Sequence, residues 1–325
     1  MSAVGINPKI AIVGIGGCGC NTLNRLYEVG IVDEMNIAAI AVHTELVHLR
    51  SVKVRNKILI GETVVKGHGC GGNIALGEEA MKEDVSKVIT SLGTPDVVIV
   101  TGGLGGGTAS GGMSILLDKI GNRIRNALRI AVVTLPFSFE GMNRIENAKL
   151  SLGSIISAAD LTIVHLNDIL LKRIGTIPVQ YAFKFMDTIL VNTIKGIVDI
   201  ITKGGIVSIS FSDFVSVVKD MKLGVVGHGV GTRISEACAN AVNNVLLDAD
   251  LKEASAALLY VEAPSKTTLE EASEAPRMVT EKYGITRVYW GFRINDLLER
   301  PRVMLLASGV RSPTVESLVG SLELL

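Results

Sequence analysis

Gly102-Gly-Leu-Gly-Gly-Gly-Thr-Ala-Ser-Gly-Gly112 follows a run of Val and Ile and leads into a helix-like stretch. Gly14-Ile-Gly-Gly-Cys-Gly-Cys-Asn21 repeats that arrangement near the start of the chain. So many glycines let a backbone turn with its N–H groups facing inward and let an anion approach closely. A helix that follows adds the positive end of its dipole. Two such loops in one chain predict a polyphosphate held from two sides.

Working outward, the first half alternates short β-branched runs with longer amphipathic runs. Residues 9–15, 37–42, 57–60, 96–101, 129–135 and 161–165 read as strands buried on both faces. Residues 21–29, 74–92, 110–126 and 140–158 read as helices, and the βαβα order predicts a doubly wound, mostly parallel sheet. Pro178 to Lys203 reads as one long, largely apolar helix that Gly204 and Gly205 stop. Helices at 233–246 and 269–282 and strands at 256–261, 287–293 and 302–307 then predict a smaller α+β domain, with Pro276 a potential kink. The expected fold class is therefore α/β in three parts, at 1–177, 178–204 and 205–325.

The chain has 325 residues, 48% of them hydrophobic, with 32 basic and 32 acidic side chains and no net charge. Neutrality and scattered basic residues give no electrostatic case for nucleic acid or a membrane surface. No apolar run is long enough to span a bilayer, so direct membrane insertion is not expected. The four cysteines, Cys18, Cys20, Cys70 and Cys238, show no pairing framework. With no signal peptide at the start, that predicts a reducing cytoplasm.

Each motif has a rival reading. Gly14-x-Gly16-x-x-Gly19 matches the dinucleotide fingerprint, which makes a nicotinamide-dependent dehydrogenase the main competitor. That fold needs an acid at the end of the second strand for the ribose. Glu34 precedes this strand and Glu45 lies too far on, and the second glycine loop would go unused. No P-loop lysine motif occurs. Cys18-x-Cys20 with Cys70 is a poor zinc pattern, and small residues filling tight loops explain it better. His43, His48 and His68 lack metal-ligand spacing and read as loop and surface residues, so no protein-bound metal centre is expected.

Gly105-Gly-Gly-Thr-Ala-Ser-Gly111 closely resembles the glycine signature of the tubulin/FtsZ superfamily, with Ala109 in place of a glycine. The resemblance continues through Gly67–Asn73, Pro136–Gly141, Asn167-Asp168 and residues 182–203, and FtsZ is the nearer likeness. It implies GTP or GDP as ligand, with magnesium as a companion ion. The implied binding residues are Gly16, Gly17, Cys18, Gly19, Cys20, Asn21, Gly72, Asn73, Gly105, Gly106, Gly107, Thr108, Ala109, Ser110 and Gly111. Glu140 and Arg144 would face the ribose and phosphates, and Glu45 falls where an aspartate usually sits near the magnesium. Asn167 and Asp187 would read the base; a carboxylate at Asp187 can accept from both guanine N1–H and the 2-amino group. Ala109 fits if its φ stays negative.

The same resemblance implies head-to-tail self-assembly, with a loop of one subunit entering the nucleotide site of the next. The family's N-x-D-x-x-D loop reads Ser208-Ile-Ser210-Phe-Ser-Asp213 here. Only Asp213 keeps a carboxylate, and a serine hydroxyl is no general base at neutral pH. Slow GTP hydrolysis is expected, with Asp213 as the remaining catalytic group and Ser210 at a degenerate position. Read without the family, Asp213 is an N-cap for a helix beginning near Phe214. The chain ends about where an FtsZ globular core would end, so the membrane adaptor and the choice between division and shape control stay open. The rival of another class is a GTP-binding scaffold that does not polymerise.

Overall fold

The computed structural model describes residues 8–33, 36–176 and 178–320. From the start, β1 (Ile10–Ile15) leads into α1 (Gly16–Glu28), and β2 (Ile37–His43) into α2 (Leu46–Ser51). Next come β3 (Asn56–Leu59), α3 (Glu62–Val65), α4 (Ile74–Leu92), β4 (Val97–Gly103) and α5 (Gly107–Arg123). β5 (Leu128–Leu135), α6 (Met142–Ala158), β6 (Leu161–Leu166) and α7 (Asn167–Ile174) complete the first half. The long helix α8 (Val179–Thr202) and α9 (Phe211–Val218) lead to β7 (Lys222–Val230) and α10 (Ile234–Asn243). The chain then closes with β8 (Ala256–Ala263), α11 (Leu269–Tyr283), β9 (Val288–Ile294), β10 (Arg302–Ser308) and α12 (Pro313–Val319).

The ten strands among the described residues lie in one sheet, in the order β3-β2-β1-β4-β5-β6-β7-β10-β8-β9. The pairs from β3 to β7 are parallel, and β10 alone runs antiparallel, between β7 and β8. The strands after residue 205 thus extend the first sheet instead of forming a second one. Alternating side chains feed two cores. Ala11, Val13 and Ile15 face one layer of helices, while Ile10 and Ile12 face the layer that includes α8.

Several boundaries differ from expectation. α1 and α5 begin at Gly16 and Gly107, well before the predicted starts at residues 21 and 110. Glycine is a poor helix former, so sequence propensity favoured loops, and packing overrides it. A Cβ on Gly19 would stand 2.5 Å from the carbonyl oxygen of Thr101, and one on Gly107 2.5 Å from that of Asn73. Only glycine lets either helix start flush against its neighbours. β7 escaped notice because Gly224, Gly227 and Gly229 interrupt it, yet α10 packs its backbone onto Gly227 and Gly229. α11 continues through Pro276, held by a Thr268–Glu271 capping box and by buried Ala272, Ala275 and Val279. In α8, Leu190, Val191, Ile194, Ile197, Val198 and Ile200 are buried, but Tyr181 and Phe185 are exposed.

Asp160 joins the two regions of the sheet. It is fully buried and accepts from Arg129 N (2.8 Å), Arg129 Nε (3.1 Å) and Lys219 Nζ (2.6 Å). Its carbonyl accepts from Lys222 N at 2.9 Å, where β7 starts. Burial alone would raise its pKa, but the bonds from Arg129 and Lys219 outweigh that and hold it below the usual range. Because the folded pKa is lowered, this stabilisation is present above the unfolded pKa and is lost as pH falls through the folded one. Asp160→Ala should destabilise the protein by about 3 kcal/mol or more in urea unfolding at neutral pH. The gap between variant and wild type should shrink on acidification, and an acid-independent gap would contradict the assignment.

Candidate functional site

Strand order 3-2-1-4-5-6 reverses direction between β1 and β4, and open α/β sheets bind ligands outside the carboxyl ends at such a switch point. The two glycine stretches follow those two strands. α1 starts after Ile15 and α5 after Gly106, and neither N-cap supplies a side-chain hydrogen bond. The first N–H groups of both helices are therefore uncapped, with two helix dipoles directed at one place. The cleft in front of them measures about 370 Å³ and is lined by Gly16, Gly17, Gly106, Gly107, Thr108 and Ala109, with Gly71, Gly72 and Arg144 opposite.

The side chains around it divide the labour. Ala109 is not among the positive-φ residues, and its methyl packs near Gly16 and Gly102, so the departure from glycine is accommodated. Thr108 shares a 2.7 Å hydrogen bond with Thr44, and Cys70 Sγ donates to Thr44 at 3.5 Å. Ser110 Oγ accepts from Gly105 N at 2.9 Å, and Gly105 has φ +102°. Asn73 caps α4 by accepting from Leu76 N at 3.3 Å. Gly19 and Gly111 are packing positions, Gly111 against the backbone of α4. Cys20 points into the core and is fully buried, so its side chain cannot reach the cleft. Burial pushes the Cys20 thiol up to about 12.

Asn147 was missed by sequence reading. Its Nδ2 donates to the carbonyls of Gly72 (2.7 Å) and Gly105 (3.0 Å), clamping two loops of the cleft together. Its spacing from Glu140 and Arg144 along one helical face was the available signal. Glu140 holds the turn before α6, accepting from Phe137 N at 2.9 Å and pairing with Arg144 at 2.9 Å. Arg144 is mostly exposed and lines the cleft.

Cys18 lies in the first turn of α1, against Gly103. Burial first, then the charge of Asp187 and more weakly that of Glu140, push its thiol up to about 11. Asp187 thus stands close to the first glycine turn. It is half-buried and makes no ion pair among the described residues. Burial raises its pKa against the opposing pull of Arg25. Such a carboxylate lacks donors that a ligand could supply. Asn167 begins α7, is buried, and lines a neighbouring cavity of about 400 Å³ with Asp168 and Asp248 instead of the glycine cleft.

Ser210 and Asp213 lie at the other end of the molecule. α8 carries Asp187 near the carboxyl edge of the sheet, then runs fifteen residues, roughly 22 Å, to Thr202. After α9, β7 begins beside Leu161, at the amino edge. Ser210 and not Asp213 is the N-cap of α9, which starts at Phe211. Asp213 N donates to Ser210 Oγ at 3.0 Å, and Ser210 N donates to Asp213 Oδ2 at 3.0 Å. The expected cap at Asp213 is thereby corrected to the third position of a capping box.

The histidines also depart from expectation. His43, Glu45 and His48 bring one ligand atom each to within 4.8 Å of one another on the cleft wall. Chain folding at the β2–α2 junction creates this group, which the spacing did not announce. Burial, then His48, push the His43 imidazole down to about 4. Asn21 is exposed and meets His48 Nε2 through Oδ1 at 3.1 Å. His68 is exposed.

Comparison with known proteins agrees with this geometry. The profile of the tubulin/FtsZ family GTPase domain matches residues 9–175, and that of the FtsZ family C-terminal domain matches residues 221–311. The chain is 39% identical over 312 residues to cell division protein FtsZ 1 of Pyrococcus horikoshii, covering 94% of this chain and 82% of that protein. It is 39% identical to cell division protein FtsZ of Methanothermobacter thermautotrophicus, covering 97% and 83%. Among solved structures, an empty FtsZ dimer from M. jannaschii aligns with TM-score 0.85 at 37% identity, covering 93% of this chain and 88% of that one. GDP-bound CetZ1 from Haloferax volcanii aligns with TM-score 0.84 at 25% identity, covering 96% and 97%. Two uncapped helices at the switch point, and matches across nearly the whole chain, place it in the tubulin/FtsZ family, among the FtsZ proteins.

Proposed function

We propose that the protein binds GTP between its two glycine turns and assembles head to tail into filaments that hydrolyse GTP slowly. One observation carries the reading: the cleft and the Ser208–Asp213 loop sit at opposite edges of one sheet, too far apart to meet within a chain. A surface used with a different surface of the next copy generates an open filament. Exposed apolar side chains suit both ends, with Val47, Phe139 and Met142 following β2 and β5, and Ile206 beside the loop. The working division is a nucleotide-binding part at 1–177, the connecting helix at 178–204 and an assembly part at 205–325. Membrane recruitment, in division or shape control, requires a separate adaptor in a cytoplasmic setting. Among the described residues no helix is long and apolar enough to cross a membrane.

Phosphates are held by the first N–H groups of α1 and α5, with Arg144 and Asn73 at the rim. Asp187 reads guanine. A magnesium ion would neutralise phosphate charge, held by phosphate oxygens and the half-buried Glu45 carboxylate.

Guanine nucleotides should bind in preference to adenine nucleotides. Asp187→Asn should weaken GTP binding in calorimetry by about 2 kcal/mol, the cost of losing a charge-assisted pair. Because the folded pKa of Asp187 is raised, the wild type loses stability as pH rises through its titration. The variant should therefore melt higher than wild type at neutral pH without nucleotide, and the difference should vanish in acid. Equal wild-type affinity for ATP and GTP would overturn the base assignment.

Microscopy and pelleting should show filaments with GTP at micromolar protein, and only monomers under every condition would favour a non-polymerising scaffold. Within filaments, Ser210→Asp should raise phosphate release tenfold or more, within the ~10²–10⁴ that a positioned acid–base group supplies. Aspartate is an equally good N-cap, so α9 survives the change. Asp213→Asn should reduce the remaining release while keeping an oxygen for the capping box. A wild type already unaffected by either change would refute this account of the loop.

A further inference from the structure

The wall of the cleft carries two imidazoles that nucleotide binding leaves idle, beside the Glu45 carboxylate. His43 ends β2, Glu45 precedes α2 and His48 lies in its first turn. Their backbone is firmly held. Glu45 pairs with His68 in an antiparallel bridge, Leu46 N donates to Gly67 O at 3.0 Å, and Gly69 N donates to Thr44 O at 3.1 Å. His48 is oriented from behind by Asn21, with Nε2 and Oδ1 3.1 Å apart. With Nε2 donating there, Nδ1 keeps its lone pair, and it faces Gly17, 3.5 Å from where a Cβ would stand. An imidazole that gives one N–H to an oxygen and turns its other nitrogen to an open cleft is the usual posture of a metal ligand.

We propose that His43, Glu45 and His48 bind a transition-metal dication on the cleft wall, with its remaining coordination positions open toward the glycine turns. Two imidazoles and a carboxylate suit zinc, cobalt or nickel. Magnesium prefers oxygen ligands and keeps several waters. Glu45 is the one residue shared with the proposed magnesium companion of GTP, so the imidazoles would change which ion this cleft selects. An ion about 2.1 Å from each donor needs donors within about 4.2 Å of one another. The three donors lie within 4.8 Å of one another, so side-chain adjustment on this held backbone brings them to that spacing. His43 needs one more change. Its Nδ1 accepts from Glu45 N at 2.9 Å, which leaves the proton on Nε2, so the ring must turn over to offer a lone pair. His48 and Glu45 need no such change and dominate affinity.

The test uses the purified full chain without nucleotide, titrated with Co²⁺ and followed by absorption and calorimetry. One equivalent should bind at micromolar concentration, with spectra of nitrogen ligation, and millimolar Mg²⁺ should not displace it. His48→Ala and Glu45→Gln should each weaken binding at least tenfold, and His43→Ala by less. Asn21→Ala should weaken it about tenfold through the lost orientation of His48. Melting curves of the metal-free variants identify any that fail to fold, and Asn21→Ala, on an exposed side chain, keeps the test decisive. Absence of saturable binding, full displacement by Mg²⁺, or unchanged binding in the His43→Ala/His48→Ala double variant would overturn the proposal. GTP affinity measured without cobalt separates that result from a failure of the nucleotide reading.

Discussion

Everything at the site depends on two helices starting flush against the edges of their strands. A Cβ at Gly14, Gly19, Gly107 or Gly111 would run into neighbouring backbone, so glycine there is a steric requirement of the packing. The result is that α1 and α5 begin directly at the carboxyl edge of the sheet, without side-chain caps. Their unpaired N–H groups are stable only when water or an anion satisfies them. The fold therefore prepares an anion site as a by-product of close packing, and the surrounding side chains need only keep the turns in place. The linked Thr44, Thr108 and Cys70 side chains and the Asn147 clamp do this.

The long helix converts that local site into a directional molecule. Asp187 stands near Cys18 in the first turn of α1, whereas the residues that follow Thr202 emerge at the opposite edge of the sheet. A single rigid element thus separates the nucleotide from the loop that would act on it. On the proposed function, hydrolysis would require a neighbour, which would couple chemistry to assembly. Asp160 fixes the geometry of this arrangement by locking β5, β6 and the start of β7 together. The loop itself is built as a helix cap, in which Ser210 and Asp213 exchange hydrogen bonds.

Much of this was legible in the sequence. The β-branched runs gave six of the strands because strands buried on both faces leave an unbroken apolar signature. Three strands of the C-terminal region, β8, β9 and β10, were also visible, but their continuity with the first sheet was not, since pairing across Asp160 is a tertiary fact. Glycine misled twice. It suggested loops at Gly16–Cys20 and Gly107–Thr108, where packing makes helix, and it hid β7 beneath α10. The site was legible as motifs, yet motifs could not separate Gly16 and Gly17, which line the cleft, from Cys20 and Gly111, which pack inward. His43 and His48 looked unrelated because a strand end and a helix start, and not their spacing, bring them together.

Hydrogen exchange of the backbone, compared between nucleotide-free and GTP-loaded protein, decides whether both helix starts hold one ligand. If one polyphosphate is held by both helix starts, exchange should slow together at residues 16–20 and 106–110, with further protection in α8 around Asp187. Protection of the first turn alone, as a dinucleotide would give, or protection centred on the cavity beside Asn167, would contradict the account.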